Sequence, residues 1–162
     1  MQEVSVIIPN FNGMAYLDGV LAGLECQTVD DFEVILVDNG SSDGSCAFVA
    51  ARYPWVHLIE LPENFGFCKA VNEGIRASRS PYVLLLNNDI EVTDNFIEEM
   101  TDAIKRHPKA FSCAARMIQF HDRDRLDDAG NYYCALGWAY ARGKGKDIHT
   151  YEKEEKIFAS CA

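Results

Sequence analysis

Polar side chains follow directly after several apolar segments of the sequence. Asn87, Asn88 and Asp89 come after the apolar residues 82–86, and Asp38 comes after the apolar residues 34–37. Carboxylate and amide oxygens at such positions could bind a divalent cation, because Mg²⁺ and Mn²⁺ prefer oxygen ligands. A carboxylate at the end of a buried strand could also accept a hydrogen bond from the imide N–H of a pyrimidine base. A simple turn is the alternative interpretation, since Asn and Asp are common turn residues.

The spacing of apolar residues predicts the elements that must position these side chains. Short apolar runs predict strands at residues 4–8, 34–37, 56–61 and 82–86, and a further strand is expected around residues 111–118. Four stripes of apolar residues at intervals of three and four predict helices; their members are Met14, Leu17, Leu21 and Leu24; Cys46, Val49, Ala50 and Tyr53; Phe67, Ala70, Val71, Gly74 and Ile75; and Phe96, Ile97, Met100 and Ile104. We expect Asp94 to cap the fourth helix and Pro108 to end it.

Strands that alternate with helices predict an α/β fold with a mainly parallel sheet. Residues 82–86 are apolar without alternation, which is typical of a strand that helices cover on both faces. In a parallel sheet the carboxyl ends of the strands lie side by side, and ligands bind there. We therefore expect one crevice lined by four strand exits, which contribute Asn10 with Asn12, Asp38 with Asn39, Glu63 with Asn64, and Asn87 with Asn88 and Asp89.

A phosphate group in that crevice would need a positive counter-charge. The helix predicted after Asn64 and Gly66 offers free backbone N–H groups at its N-terminus, which suit an anion. A divalent cation held by Asp89 is the second source, with a further contact from Asn87 or Asn88. The sequence has no G-x-G-x-x-G after its first strand and no G-K-[ST] loop, which argues against a dinucleotide dehydrogenase and a P-loop ATPase.

Composition narrows the class of protein further. With 162 residues, 48% apolar and 25% charged, the chain has the composition of a soluble globular protein and can form one sizeable core. The formal net charge of −10 argues against a nucleic-acid partner. No apolar stretch approaches the ~20 residues that span a bilayer, and the N-terminus lacks the pattern of a signal peptide, so we expect a cytoplasmic location. The six cysteines are dispersed without a C-x-x-C pair, and we interpret them mostly as small buried hydrophobic residues rather than disulfides or zinc ligands.

The sequence changes character after Ile118. Residues 121–128 contain seven ionisable side chains in eight positions, which predicts a solvated loop. The chain ends in the apolar run IFASCA, residues 157–162, which suggests an unfinished domain. We therefore expect a core over residues 1–118 and the start of a second region over residues 119–162.

Four segments together resemble the inverting, nucleotide-sugar-dependent glycosyltransferases of the GT-A fold, known as family 2. The segments are VSVIIPNFNG at 4–13, VILVDNGSSDGS at 34–45, ENFGFCKAVNEGI at 63–75 and LLLNNDIEV at 84–92. Their order and spacing fit over roughly the first 118 residues, and the combination is far more specific than any single segment. The resemblance implies a three-layer α/β sandwich, transfer of a sugar from a nucleoside diphosphate to an acceptor hydroxyl with inversion, and a Mn²⁺ or Mg²⁺ cofactor.

The resemblance also implies roles for single residues. Asp38 would contact the donor base, which Pro9 and Phe11 would frame, and Asp89 would bind the metal. The family's D-x-D motif reads Asn-Asn-Asp here, so an amide replaces one carboxylate and metal affinity should be weaker; N-x-D variants are common in members similar to rhamnosyl and polysaccharide transferases. Family members often have Arg or Asn where this chain has Val71, and Lys69 is the alternative phosphate contact. The implied donor-binding residues are Pro9, Asn10, Phe11, Asp38, Asn39, Gly66, Lys69, Asn87 and Asn88.

The catalytic base is not assigned within this chain. Family members take it from a later segment, often an E-D pair, and no such segment follows the charged loop before Ala162. For Asp127 and Asp128 we expect loop or acceptor-side roles. The base is expected beyond Ala162, and the chain is expected to bind donor without efficient transfer.

The implied partners are a UDP- or dTDP-sugar and a saccharide or lipid-linked acceptor, and they are compatible with peripheral membrane association of the full-length enzyme. Two other functions stay open at this stage. One is a degenerate, non-catalytic domain that binds a nucleotide or a partner, which Asn87 and the missing base favour. The other is a nucleotidyltransferase, although the Gly- and Arg-rich loop expected after its first strand is missing.

Overall fold

The computed structural model describes residues 2–157. Contacts divide the chain into two compact units, Met1–Thr101 and Asp102–Ala162, and the division falls within the fourth helix. The first unit contains β1 (Val4–Asn10), α1 (Met14–Glu25), β2 (Phe32–Asp38), α2 (Ser45–Arg52), β3 (His57–Glu60), α3 (Phe67–Ala77), β4 (Tyr82–Leu85) and the start of α4 (Phe96–Arg106). The second contains β5 (Met117–Ile118), β6 (Leu126–Asp128), β7 (Asn131–Tyr133) and β8 (Ala139–Ala141).

The strands of the first unit form one parallel sheet in the order β3-β2-β1-β4. This confirms the prediction of an α/β fold with a parallel central sheet. β1 and β2 pair from Val4↔Phe32 to Asn10↔Asp38, so β1 is two residues longer than predicted and includes Pro9. β1 and β4 pair only as far as Ile7↔Leu85, so the backbone nitrogen of Pro9 has no strand partner on the β4 side. The missing N–H of Pro9 therefore removes no hydrogen bond from the sheet.

The central strands are buried on both faces because successive residues of a strand point to opposite sides. Val6 and Ile8 of β1 belong to the same apolar cluster as buried residues of α1 and α2, whereas Ile7 packs in a second cluster with Ala70 of α3. α3 approaches the sheet closely: a Cβ on Gly74 would lie 2.4 Å from Ile7 Cγ2. The two helical layers therefore enclose β1 and β2 and fix the position of their carboxyl ends.

β4 differs from the central strands, and the prediction that it is covered on both faces is wrong. Its exposure alternates, with Val83 and Leu85 41% and 40% exposed while Tyr82 and Leu84 are half-buried against the first apolar cluster. β4 lies at the edge of the sheet, and α3 packs on β1 and β2 instead. Neighbouring strand order, which the local sequence does not encode, decides this exposure.

The four predicted helices are present with shifted ends. Asn95 rather than Asp94 precedes α4, since its backbone carbonyl accepts the hydrogen bond from Glu99 N–H, and the helix ends at Arg106, before Pro108. In α3, Phe67 and Ile75 are exposed although both belong to the predicted apolar stripe.

In the second unit the predicted strand at 111–118 is reduced to β5. Of this segment, Met117 and Ile118 are the residues that pair with another strand, the three-residue β6, and Phe111 is fully exposed. The charged run is an exposed loop as far as Arg125, after which Leu126 is fully buried in β6. β7 and β8 form a second antiparallel pair.

The prediction that the cysteines are mostly buried is wrong for the described part of the chain. Cys26 and Cys68 are exposed, and Cys46, Cys113 and Cys134 are half-buried. Cys161 and most of the apolar run at 157–162 lie outside the described residues. The functional boundary at residue 118 stays a prediction. Between residues 2 and 157, none of the helices combines the length and the apolar character needed to cross a membrane.

Candidate functional site

The ends of β1, β2 and β4 and the first turn of α3 surround a cleft of about 250 Å³ in the first unit. Parallel strands bring their carboxyl ends to the same side, which places residues almost eighty positions apart around one opening. The lining residues are Pro9, Asn10, Phe11, Asn39, Asn64, Phe67, Ala70 and Asn88. Five of the nine residues implied to bind a donor are thus brought together, namely Pro9, Asn10, Phe11, Asn39 and Asn88.

Asp38 is outside the cleft lining, and it is only 2% exposed. Its Oδ1 accepts a hydrogen bond from Asn10 Nδ2 at 2.8 Å, and its Oδ2 accepts one from Ser41 N–H at 2.8 Å. Burial alone would raise the pKa of this carboxyl, but hydrogen bonds from Ser41, Asn10 and Cys46 lower the pKa overall. Asp38 is therefore a buried anion with a hydrogen bond at each oxygen, and its predicted contact with a base stays a prediction.

Asn10 connects Asp38 to the end of β4. It is 1% exposed, and its Oδ1 accepts a hydrogen bond from Asn88 Nδ2 at 2.7 Å while its Nδ2 points at Asp38 and Ser45 Oγ. A Cβ on Gly13 would lie 2.1 Å from Asn88 Nδ2 and 2.3 Å from Asn10 Oδ1, so this arrangement requires a glycine there. Side chains from β2, β1 and the β4 exit thus form one continuous hydrogen-bonded chain.

A second amide pair fixes the loop that leads into α3. Asn39 Nδ2 donates to Asn64 Oδ1 at 2.9 Å, and Asn39 Oδ1 accepts from Phe65 N–H at 2.9 Å. Asn64 Oδ1 also accepts from Gly66 N–H, and Gly66 has a φ of 87°. Neither Asn64 nor Phe67 is in the implied donor-binding set, although Asn64 is among the predicted strand exits.

Gly66 and Lys69 lie at the start of α3. No side chain of the described residues caps this N-terminus, so its backbone N–H groups give it a partial positive charge. Lys69 is not among the lining residues, and its ammonium group pairs with Glu73 one turn later. A phosphate contact from Lys69 would require the side chain to leave Glu73, and it stays a prediction.

Oxygen atoms dominate the β4 exit. Asn87 and Asn88 are half-buried and Asp89 is exposed in the turn that follows. Such a set fits Mg²⁺ or Mn²⁺ as a partial shell, because both cations prefer oxygen and bind readily with a diphosphate that supplies further ligands. Within residues 2–157, no group of three or more His, Cys, Asp or Glu side chains could hold a metal ion.

Cys46 is a neighbour of the site that the sequence analysis missed. Its thiol interacts with the carboxylates of Asp38 and Glu60, and burial together with these two groups raises its pKa to about 12. The thiol therefore stays protonated at neutral pH and donates to Asp38. Its membership of the α2 stripe concealed this contact, since apolar spacing does not show polar partners.

Comparison with known proteins places this site in context. The sequence matches the family described as "Glycosyl transferase family 2" over residues 5–161. It is 29% identical over 121 residues to a cholesterol galactosyltransferase of Borreliella burgdorferi, covering 73% of this chain and 34% of that protein. It is 30% identical over 116 residues to an N-acetylglucosaminyl-diphospho-decaprenol L-rhamnosyltransferase of Mycobacterium tuberculosis, covering 65% of this chain and 38% of that protein. The chain spans about a fifth to a half of the length of the curated relatives it matches.

Two solved structures have a fold similar to that of this chain. S. aureus TarS 1-349 in complex with UDP-GlcNAc has a TM-score of 0.61 at 22% identity, over 73% of this chain and 38% of that chain. The mannosyltransferase PcManGT of Pyrobaculum calidifontis, in complex with GDP-Man and Mn²⁺, has a TM-score of 0.56 at 25% identity, over 64% of this chain and 31% of that chain.

Proposed function

The chain belongs to glycosyl transferase family 2 and has a GT-A α/β fold, and on this premise we propose that it binds the nucleotide-sugar donor of a glycosyltransferase. The observation that carries the proposal is the cleft at the carboxyl ends of β1, β2 and β4, lined by ring, amide and backbone groups. In parallel α/β folds this is the edge at which nucleotides bind. The donor is a UDP- or dTDP-sugar.

The lining suggests where each part of a donor lies. Pro9 and Phe11 frame the base, and Asp38, directly behind Asn10, provides the negative charge that favours an imide N–H donor. The uncapped N-terminus of α3 beyond Gly66 attracts the diphosphate. The composition of the lining, four apolar residues and four asparagines, supports this division of the cleft.

A divalent cation, Mn²⁺ or Mg²⁺, accompanies the diphosphate in this proposal. When bound, the cation neutralises the charge that develops on the departing diphosphate. Asp89 is its carboxylate ligand, and Asn87 and Asn88 offer amide oxygens beside it. The Mn²⁺ in the complex of the mannosyltransferase from P. calidifontis supports this part of the proposal.

Transfer proceeds with inversion to an acceptor hydroxyl, and the acceptor is a saccharide or a lipid-linked sugar. The rhamnosyltransferase relative, whose name specifies a diphospho-decaprenol acceptor, supports the second class. We propose that this transfer takes place in the cytoplasm, with the full-length enzyme at a membrane surface. The family match gives no support to a nucleotidyltransferase.

We assign the catalytic base to neither late aspartate. Asp127 pairs with Lys144 at 3.3 Å, and Asp128 is 8% exposed and accepts hydrogen bonds from Gly130 N–H and Asn131 Nδ2. Both carboxylates are thus engaged within the second unit. We therefore propose that this 162-residue chain binds donor without efficient transfer, since general-base catalysis typically contributes ~10²- to 10⁴-fold.

Calorimetric titration tests the proposal. UDP or dTDP should bind, and Mn²⁺ should tighten the binding; at ~100 times its Kd the ligand should stabilise the chain by about 2.7 kcal/mol. ADP is the matched control for base recognition. Equal affinity for ADP and UDP would contradict the role given to Asp38, and absence of any nucleotide binding would contradict the function.

A further inference from the structure

The hydrogen bonds that link Asp38, Asn10 and Asn88 all run one way: Asn88 donates to Asn10, and Asn10 donates to Asp38. We propose that Asn10 is a positioning residue: the charge of Asp38 orients the Asn10 amide, which orients the Asn88 amide so that its carbonyl oxygen faces the ligand. The inference rests on the proposed function, because it concerns how the β4 exit receives a diphosphate and its cation. It couples the buried carboxylate of Asp38 to the β4 exit through the residue that lies between them.

The first step follows from the chemistry of Asp38. An ionised carboxylate only accepts hydrogen bonds, so the group that faces it must be a donor. Asn10 therefore directs its Nδ2 to Asp38 Oδ1, at 2.8 Å, and the same nitrogen lies 3.1 Å from Ser45 Oγ. The reverse orientation would place the Asn10 carbonyl oxygen against the carboxylate, where the two would repel each other.

The second step passes this orientation to Asn88. With its nitrogen committed to Asp38, Asn10 presents Oδ1 to the β4 exit, and that oxygen can only accept. Asn88 donates a hydrogen bond from its Nδ2 to this oxygen, at 2.7 Å. Its own Oδ1 accepts no hydrogen bond from the described residues and is left for a cation or a ligand donor.

Packing keeps the three hydrogen-bonded side chains in this orientation. Asn10 is 1% exposed and Asp38 is 2% exposed, so water does not compete with their bond. A Cβ on Gly13 would contact both amides at less than 2.5 Å, which shows how tightly they fit beside the start of α1. Rotation of the Asn10 amide would break hydrogen bonds that no solvent replaces.

The oriented oxygen has a clear use at this position. Asn87 and Asn88 carry no charge, and Asp89 is the carboxylate of the trio. An amide oxygen held in place loses less rotational freedom on binding than a free one and so strengthens a weak oxygen shell. The hydrogen bonds that run from Asp38 to Asn88 thus compensate in part for the second carboxylate that residues 87–89 lack.

The test measures UDP affinity with and without Mn²⁺ for wild type, Asn10→Ala and Asn88→Ala. Both variants should reduce the Mn²⁺-dependent gain by about fivefold or more, the usual range for coupled sites. The double variant should lose little beyond either single change, because the two residues act as one unit. Asn10→Leu, which keeps the branched shape of the side chain without its amide, replaces Asn10→Ala if the latter does not fold.

A rescue variant separates orientation from simple damage. An aspartate presents two equivalent oxygens and needs no orientation, so Asn88→Asp should raise the Mn²⁺-dependent gain more in Asn10→Ala than in wild type, a comparison that cancels the effect of the added charge. Ser5→Ala is the matched control: Ser5 is also buried in β1 and donates to a carboxylate on β2, but at the opposite end of the sheet. It should leave both affinities unchanged.

The outcomes are distinct. A full Mn²⁺-dependent gain in Asn10→Ala, in a chain that binds UDP, overturns the inference and leaves the proposed function standing. Loss of the gain without rescue by Asn88→Asp also overturns it, since Asn10 would then act through the fold alone. Failure of wild type to bind UDP overturns the proposed function, and the coupling with it.

Discussion

Each end of the paired strands β1 and β2 places a hydrogen-bond donor against a carboxylate, but only the carboxyl end leads to the cleft. At the amino end Ser5 donates to Glu33, its partner in register, and at the carboxyl end Asn10 donates to its partner Asp38. Both donors are buried, at 0% and 1% exposure. Each end therefore places a neutral side chain against a carboxylate, five residues apart along the same strands.

The networks that extend from these pairs differ. At the amino end the hydroxyl of Ser5 also bonds Ser78 and Ser80, so the polar groups satisfy one another within the sheet and its adjoining turn. At the carboxyl end the network runs through Asn10 to Asn88, which lines a cleft. A buried polar pair thus becomes part of a site when its hydrogen-bond network reaches a side chain that lines a cleft.

The largest expected effect is that of Asp38→Ala. It would leave the Asn10 amide and the Ser41 N–H without their acceptor, so we expect a loss of about 3 kcal/mol in the free energy of unfolding. UDP affinity should fall by about 100-fold, because the negative charge proposed to favour the base and the orientation of the amides are both lost. Urea unfolding and calorimetry measure the two effects. Glu33→Ala is the matched change at the other end, and an equal loss of UDP affinity there would contradict the comparison.

Asp89→Asn should remove the Mn²⁺-dependent gain in UDP affinity and leave the fold intact. Asp89 is exposed beyond β4, and its carboxylate is the charged group of the trio. Titrations with and without Mn²⁺ measure the effect, and a thermal melt checks the fold. A gain equal to that of wild type would place the cation elsewhere.

Gly13→Ala should disturb the Asn10–Asn88 bond, because the new Cβ would overlap both amides. We expect about a fivefold loss of the Mn²⁺-dependent gain and a modest loss of stability. Gly19→Ala is the control within α1, where a Cβ meets nothing within 4 Å and should stabilise the helix by about 0.5–1 kcal/mol. Identical binding by the two variants would show that the close approach at residue 13 is without consequence.

The pH dependence of stability should reveal Asp38. Its pKa is lower in the folded chain than the ordinary value of 3.8, so its contribution to stability is present above that value and is lost as pH falls through the folded pKa. Asp38→Asn should therefore be less stable than wild type at neutral pH, and the difference should shrink below about pH 4. The neighbouring Cys46 thiol, with a pKa of about 12, stays protonated throughout this range. Urea unfolding of both proteins between pH 3 and pH 7 measures the effect, and a constant difference would argue against an ionised Asp38.

The smallest effect is expected for Ser5→Ala. Loss of its hydrogen bond to Glu33 should cost about 1 kcal/mol of stability, because Ser78 and Ser80 remain to satisfy their neighbours. UDP and Mn²⁺ affinities should equal those of wild type. A change in either would mean that the two ends of the sheet communicate.

The sequence by itself determined the order of the elements and the polar strand exits. Apolar runs and stripes are local patterns, and they were sufficient to predict four strands, four helices and a parallel sheet, since only helical crossovers connect parallel strands within so few residues. The four matched segments also predicted the family, because their motifs are read directly from the residues.

Only the tertiary structure decided how those residues meet. β4 lies at the edge of the sheet, so Val83 and Leu85 are exposed although their sequence is as apolar as that of β1. Asp38 lies behind the cleft, and the bond from Asn88 to Asn10 joins positions 78 residues apart. Such contacts depend on strand order and on the close packing at Gly13, which are properties of the assembled sheet and not of any segment within it.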